Sequence, residues 1–200
     1  VLDNAFWGTK SFNQSIDENN LSKVVSMSGA FEKAVFNQPI ANPTLNNVTN
    51  FNSCFQENSV FNSPITINMS NVETMTRMFY LATSFNQDIS NWNISKVLDF
   101  TNMLNGAIAF NQDLSKWCAK FNINSNINQI FNGSGVTTEN YDKFLNALWL
   151  DVGTTRATQW QQRTAPRVLF YNDKKYSQAS ADARSNLTGA GWTITDGGQV

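Results

Sequence analysis

A chain of 200 residues with 14 Lys+Arg, 15 Asp+Glu and no histidine carries a formal net charge of −1. That balance, with no basic run, excludes counterion-release binding to nucleic acid and a basic membrane-surface helix, and no apolar run approaches the ~18 residues that span a bilayer. The missing histidines exclude Ser-His-Asp and Cys-His nucleophiles together with imidazole metal ligands, while a charged fraction of only 14% leaves Asn, Ser and Thr to supply the polarity, as suits an extracellular protein.

No signal-peptide pattern is visible, because Val1 already lies in structured-looking sequence, and the chain reads as part of something longer. Two interleaved signatures repeat from there onward. F-N-x-x-[I/L] starts at Phe12, Phe36, Phe61, Phe85 and Phe110, with successive spacings of 24, 25, 24 and 25 residues. Between its copies runs a second pattern, apolar-x-x-V-x-x-apolar-x-x-small/Met-F. It reads Leu21, Val24, Met27, Ala30, Phe31, then Leu45, Val48, Phe51, Cys54, Phe55. The next copies are Met69, Val72, Met75, Met78, Phe79 and Ile94, Val97, Phe100, Met103, Leu104, and a decayed copy holds Phe121, Ile127, Ile130 and Phe131. Leu2, Ala5 and Phe6 align with Met75, Met78 and Phe79. The phasing predicts an α/β solenoid over residues 1–133, with leucine-rich-repeat-like units of about 25 residues. In each unit, V-x-x-M-x-x-M-F puts apolar residues at i, i+3, i+6 and i+7 and predicts a short helix. F-N-Q-[P/D] reads as a turn, and a stretch such as IleSerAsnTrp at 89–92 suits a short strand.

In such a stack Asn13, Asn37, Asn62, Asn86 and Asn111 form one column, expected to satisfy backbone groups between units, with an Asn-lined binding strip as the alternative. Asp88 and Asp113 share a column about 5 Å apart at strand spacing. They would cap backbone amides, share a proton or bind a cation, and both are candidate metal ligands. Cys54 falls in a core column and Cys118 more than two units away, beyond disulfide reach, which predicts two free thiols. Trp92 and Trp117 share a column read as half-buried packing or as a sugar platform.

After Gly133 the period fails, and residues 134–200 read as a C-terminal α/β cap packed with the repeats as one unit. Residues 137–149 predict an amphipathic helix with a Thr cap, and 151–166 a polar loop. A strand is expected at 167–171, an Ala-rich helix over 177–187, and a second strand at 192–195.

ValLeuAspPheThrAsnMetLeu (97–104) and PheAsnGlnAspLeuSerLysTrp (110–117) resemble the BspA-like bacterial surface-protein repeat, a variant leucine-rich repeat. TyrAspLysPheLeu (141–145), Tyr176, AlaArgSerAsnLeu (183–187) and GlyTrpThrIleThrAspGlyGly (191–198) resemble that family's C-terminal cap. The resemblance implies a secreted or surface-anchored protein without enzymatic activity. The chain is also similar to peptide-binding domains of calcium-dependent RTX-type adhesins, which implies a peptide or protein partner on a host or neighbouring cell surface and calcium as a candidate ion. A monomeric domain of a larger protein, without membrane insertion, is expected.

Ligand residues belong at exposed columns where the chain departs from its own repeat. Counted from each unit's Val, position +2 holds Ser26, Asn50, Thr74 and Asp99, and position +4 holds Ser28, Asn52, Thr76 and Thr101. Position +5 holds Gly29, Ser53, Arg77 and Asn102, and position +8 holds Glu32, Gln56, Tyr80 and Asn105, with Trp7 in the same column. Arg77 and Tyr80 rise from small polar neighbours. An arginine fork suits a carboxylate, and an adjacent aromatic anchors a side chain. The candidate ligand-binding set is Arg77, Tyr80, Thr74, Asp99, Asn102, Asn50 and Asn52, with Asp99 and Asn102 as candidate calcium ligands. The competing expectation is that Arg77 forms a surface ion pair with Glu73 or Asp99. A lectin and a structural spacer are the alternative functions. An Asp88/Asp113 acid–base pair is the enzymatic one, disfavoured by an open surface without a cleft.

Overall fold

The computed structural model of the protein describes residues 1–17 and 20–200. Its first regular element is a 3-10 helix at Ser115–Lys120, so the short helix expected in each unit is corrected: turns and isolated bridges occupy residues 1–114 among those described. The reason lies in where alternate N–H groups go. In one unit Phe51, Ser53, Phe55 and Glu57 donate to the carbonyls of Thr74, Thr76, Met78 and Tyr80, at 2.7–3.1 Å. The residues between them turn back on their own unit: Cys54, Gln56 and Asn58 donate to Phe51, Ser53 and Phe55. A helix would need all of these donors for itself. Two left-handed residues per unit complete the break, at Gly29 and Lys33, Ser53 and Glu57, Arg77 and Leu81, and Asn102 and Gly106, with φ between 54° and 74°.

The expected strand at 89–92 is corrected as well. Trp92 N–H donates back to Ile89, while the parallel bridges run along Ser26, Asn50, Thr74, Asp99 and Asn126, the +2 column, with a further bridge from Ile40 to Ile65.

What holds the units together is aromatic stacking under this backbone ladder. Phe31, Phe55 and Phe79 stack on one another at ring separations of 5.5 and 5.6 Å. Phe36, Phe61, Phe85 and Phe110 form a second column at 5.9–6.3 Å. Within a unit the two columns touch, as in Phe79–Phe85 at 3.7 Å. These rings are fully buried, and each unit covers the apolar face of the one before it.

The C-terminal third follows its local sequence more closely. Helix α1 is Thr138–Leu150, capped by Thr137, whose side chain accepts from Asn140 N–H. The expected polar loop is corrected to a π-helical turn at Asp151–Thr155 and a short helix α2, Ala157–Gln161. Strand β1 (Val168–Tyr171) pairs in parallel with β2 (Thr193–Asp196), and α3 (Ala181–Gly189) crosses between them. This part packs on the last unit: Phe131 meets Phe144 at 5.0 Å and Tyr171 at 5.4 Å, and Tyr171 Oη donates to Ile127 at 2.7 Å. Arg156, paired with buried Asp151 at 2.7 Å, donates to the Phe121 and Cys118 carbonyls. No helix among the described residues is long and apolar enough to cross a membrane.

Candidate functional site

The Asn column does structural work. Asn13, Asn37, Asn62 and Asn86 each accept the N–H of the next Asn in the column through Oδ1, at 2.7–2.9 Å, and Asn111 accepts the N–H of Thr137. A side-chain oxygen thus caps a backbone donor at every step, which the stack would otherwise leave unpaired.

The +2 and +4 columns divide a similar duty. Asn50 Oδ1 accepts from Asn52 N–H at 2.9 Å, and Asp99 Oδ1 accepts from Thr101 N–H and Oγ1. Where a small hydroxyl stands at +2, the preceding unit supplies the oxygen: Asn52 Oδ1 accepts from Thr74 Oγ1 at 2.6 Å and from Thr76 N–H at 2.9 Å. The structure therefore brings Asn50, Asn52, Thr74 and Asp99 together along one ladder, and much of their acceptor capacity is spent on the backbone.

Arg77 and Tyr80 are different. The Arg77 guanidinium lies over the Tyr80 ring, 5.9 Å from its centroid. Neither Glu73 nor Asp99 forms an ion pair with Arg77 among the described residues. Arg77 is exposed, Tyr80 half-buried, and Arg77 holds φ at 55°. Asn102, next in the +5 column, accepts from Asn105 Nδ2 at 2.8 Å. Position +5 thus meets +8 within a unit: Asn102 with Asn105, Arg77 with Tyr80, and Ser53 with Gln56.

Two of the candidate metal ligands, Asp88 and Asp113, bond to their own turns. Asp88 Oδ1 accepts from Ser90 N–H at 2.8 Å, and that hydrogen bond holds its carboxyl below the usual range. Asp113 Oδ1 accepts from Ser115 N–H, and its other oxygen lies 3.9 Å from Lys143. Both cap their own turns, apart from the hydrogen-bonded ladder of Asp99. Among the described residues no group of three or more Asp, Glu, Cys or His side chains gathers in a way that could hold a metal ion.

Trp92 and Trp117 are buried, 8% and 0% exposed, and each indole N–H donates to the preceding unit, at Ile65 and Ile89 respectively. Cys54 and Cys118 are free and buried, and burial raises both thiols above their ordinary range. They are therefore unactivated.

Two features were not singled out from the sequence. A hollow of about 380 Å³ opens beside Trp92, lined by Asn68, Asp88, Asn91 and Asn93 with Ile65 and Met69. A charged cluster also joins Trp7 to Lys33, whose ammonium lies 5.8 Å from the ring centroid and 3.6 Å from Glu57. Lys33, Glu57 and Leu81 fill the +9 column, whose departure from small residues was the available signal.

Repeating units joined by a backbone ladder, with a strip of amides and hydroxyls along one side and an arginine–tyrosine pair raised from it, define a repeat protein with a candidate binding strip. The chain belongs to the family described as Mycoplasma protein of unknown function, DUF285, whose model matches residues 1–67 and 35–144. No curated protein and no solved structure matches it.

Proposed function

We propose that this chain is a BspA-like solenoid domain of a bacterial cell-surface adhesin. In this reading it is noncatalytic, extracellular, and binds a peptide or protein on a host or neighbouring cell. The observation that carries the reading is the Arg77–Tyr80 pair: a guanidinium without an ion-pair partner among the described residues, exposed on a strip of amides and hydroxyls with one carboxylate, Asp99, in the next unit. Such a fork takes a carboxylate in bidentate fashion, and the ring beside it offers an apolar contact for the neighbouring side chain. A peptide C-terminus presents both groups. In this reading the side-chain amides of Asn50 and Asn52 serve its backbone carbonyls. The resemblance to peptide-binding domains of RTX-type adhesins supports the same reading. Calcium remains the candidate ion, with Asp99 and Asn102 as its candidate ligands on the strip.

The test is binding of the labelled domain to combined peptide and glycan arrays, with calcium and with a chelator. Peptide hits that share a free carboxyl end and weaken at least tenfold in Arg77→Ala are expected. Hits confined to glycans would replace this reading with a lectin, and the hollow beside Trp92 would become the place to look. Binding to neither array would make the chain a spacer.

A further inference from the structure

Positive charge in residues 134–200 is left unbalanced where the indole rings gather. Arg156 and Arg184 are paired with Asp151 and Asp196, whereas Arg163 and Arg167 form no ion pair among the described residues. Burial first, and then the charge of Arg167, bring the pKa of the Arg163 guanidinium down to about 10. Asp151 is already spent: Arg156 takes both of its oxygens, and the Trp160 indole N–H donates to Oδ2 as well. Acceptors are short here too. Arg163 donates through its Nη groups to the carbonyls of Ile123, Ser125 and Pro166, while its Nε and the Nε1 of Trp192 are buried without a partner among the described residues. The Arg163 guanidinium lies 5.4 Å from the ring centroids of both Trp160 and Trp192. Half-buried Arg167 uses one of a guanidinium's five donors, on the Trp160 carbonyl at 2.8 Å.

Beside these groups opens a pocket of about 310 Å³, walled by Trp149, Trp160 and the small residues Gly153, Ala157 and Ala190, with Arg167 as the one charged side chain of its lining among the described residues. Part of the wall belongs to the π-helical turn Asp151–Thr155, a geometry found mostly at functional sites. Gly153 lets the Trp149 ring close on that turn, since a Cβ there would come within 2.5–2.7 Å of three ring atoms.

We propose that this pocket binds a carboxylate carried on a small apolar body, an aryl or alkyl acid. The Arg167 guanidinium gives the carboxylate charge-assisted hydrogen bonds, which apolar walls strengthen by lowering the local dielectric. The indoles of Trp149 and Trp160 cover the apolar body. A cation would meet two uncompensated guanidinia, and a neutral ligand would leave them uncompensated. The volume stands at the low end of small-molecule sites, so it takes one ring or a short chain and not a polymer. Such a group is either a free small acid or the last residue of a peptide. The pocket shares no residue with the Arg77 strip.

The experiment titrates the full chain with 3-phenylpropionate in a calorimeter. The acid should bind with a Kd below about 1 mM, and its amide and 3-phenylpropylamine at least tenfold more weakly. Arg167→Gln should weaken the acid at least tenfold. Ala157→Leu fills the pocket and leaves the guanidinium in place, and it should do the same, which keeps the test decisive if Arg167→Gln fails to fold. Arg77→Ala should bind the acid as the parent does, so this pocket and the strip stand or fall separately. A peptide ending in phenylalanine distinguishes the sources. Affinity equal to that of the free acid, lost in Ala157→Leu, assigns the pocket to a chain end, and affinity at least tenfold weaker assigns it to a free acid. No binding of the acid in that range, or equal binding of acid and amide, would overturn the proposal. So would acid binding that survives Ala157→Leu.

Discussion

Arg77 occupies a left-handed backbone position that its column fills elsewhere with Asn4, Gly29, Ser53, Asn102 and Gln129. Holding a long, branched-head side chain there costs about 1 kcal/mol relative to glycine. Arg77→Gly is therefore expected to raise stability by about 1 kcal/mol in chemical denaturation while abolishing peptide binding, separating fold from function at one residue. Asp88 offers a second test at this scale. The Ser90 hydrogen bond lowers its folded-state pKa below the unfolded value of about 3.9. The stabilisation is thus fully present above that value and lost as pH falls through the folded one. Thermal unfolding between about pH 2 and pH 6 should show a shallower acid loss in Asp88→Asn than in the parent chain.

At the scale of the element, the turn-built units depend on side-chain oxygens that stand in for missing backbone partners. Asn86 Oδ1 serves both the N–H of Asn111 and the amide of Gln112. Asn86→Ala leaves a half-buried donor without its acceptor and should cost about 1–2 kcal/mol. Asn86→Asp keeps an oxygen in place and should remain within about 0.5 kcal/mol of the parent; denaturant midpoints of the two variants decide it. This ladder was legible in the sequence, since a strict 24/25-residue period can only stack like on like. The conformation of the elements was not. Apolar residues at every third position fit a helix, and they fit a run of three-residue turns equally well. Only the destination of the N–H groups separates the two, and that destination lies 23–26 residues away. In the C-terminal third the helices α1 and α3 bond within themselves and fall close to where caps and periodicity put them, and β1 and β2 fall close to their expected places although they pair 25 residues apart.

Across the repeats, cohesion comes from stacked rings, neutral amides and backbone ladders and not from charge, whereas the cap also uses the buried carboxylates of Asp151 and Asp196, paired with Arg156 and Arg184. The ion pairs of the repeats, Lys33 with Glu32 and Glu57, sit at the surface, where such pairs contribute little. Raising salt from about 0.1 M to about 1 M, which shortens the screening length from about 10 Å to about 3 Å, should shift the unfolding free energy by less than about 1 kcal/mol. The same neutrality leaves binding to local features of the strip and not to a long-range field.

By itself the sequence determined the phase of the repeat, which residues share a column, the place where the period stops, and the helix, strand, helix and strand that became α1, β1, α3 and β2, but not α2. These are set by composition and spacing within single units, so they can be read along the chain. The tertiary structure alone decided that the units are turns, that the bridges run through the +2 column and not residues 89–92, and that Asn50, Asn52 and Asp99 commit their oxygens to the backbone while Arg77 stays uncommitted. It also decided that the last unit lies under α1, β1 and Arg156. Each of these depends on hydrogen bonds between units, and a donor's partner in the next unit is fixed only once the two are stacked.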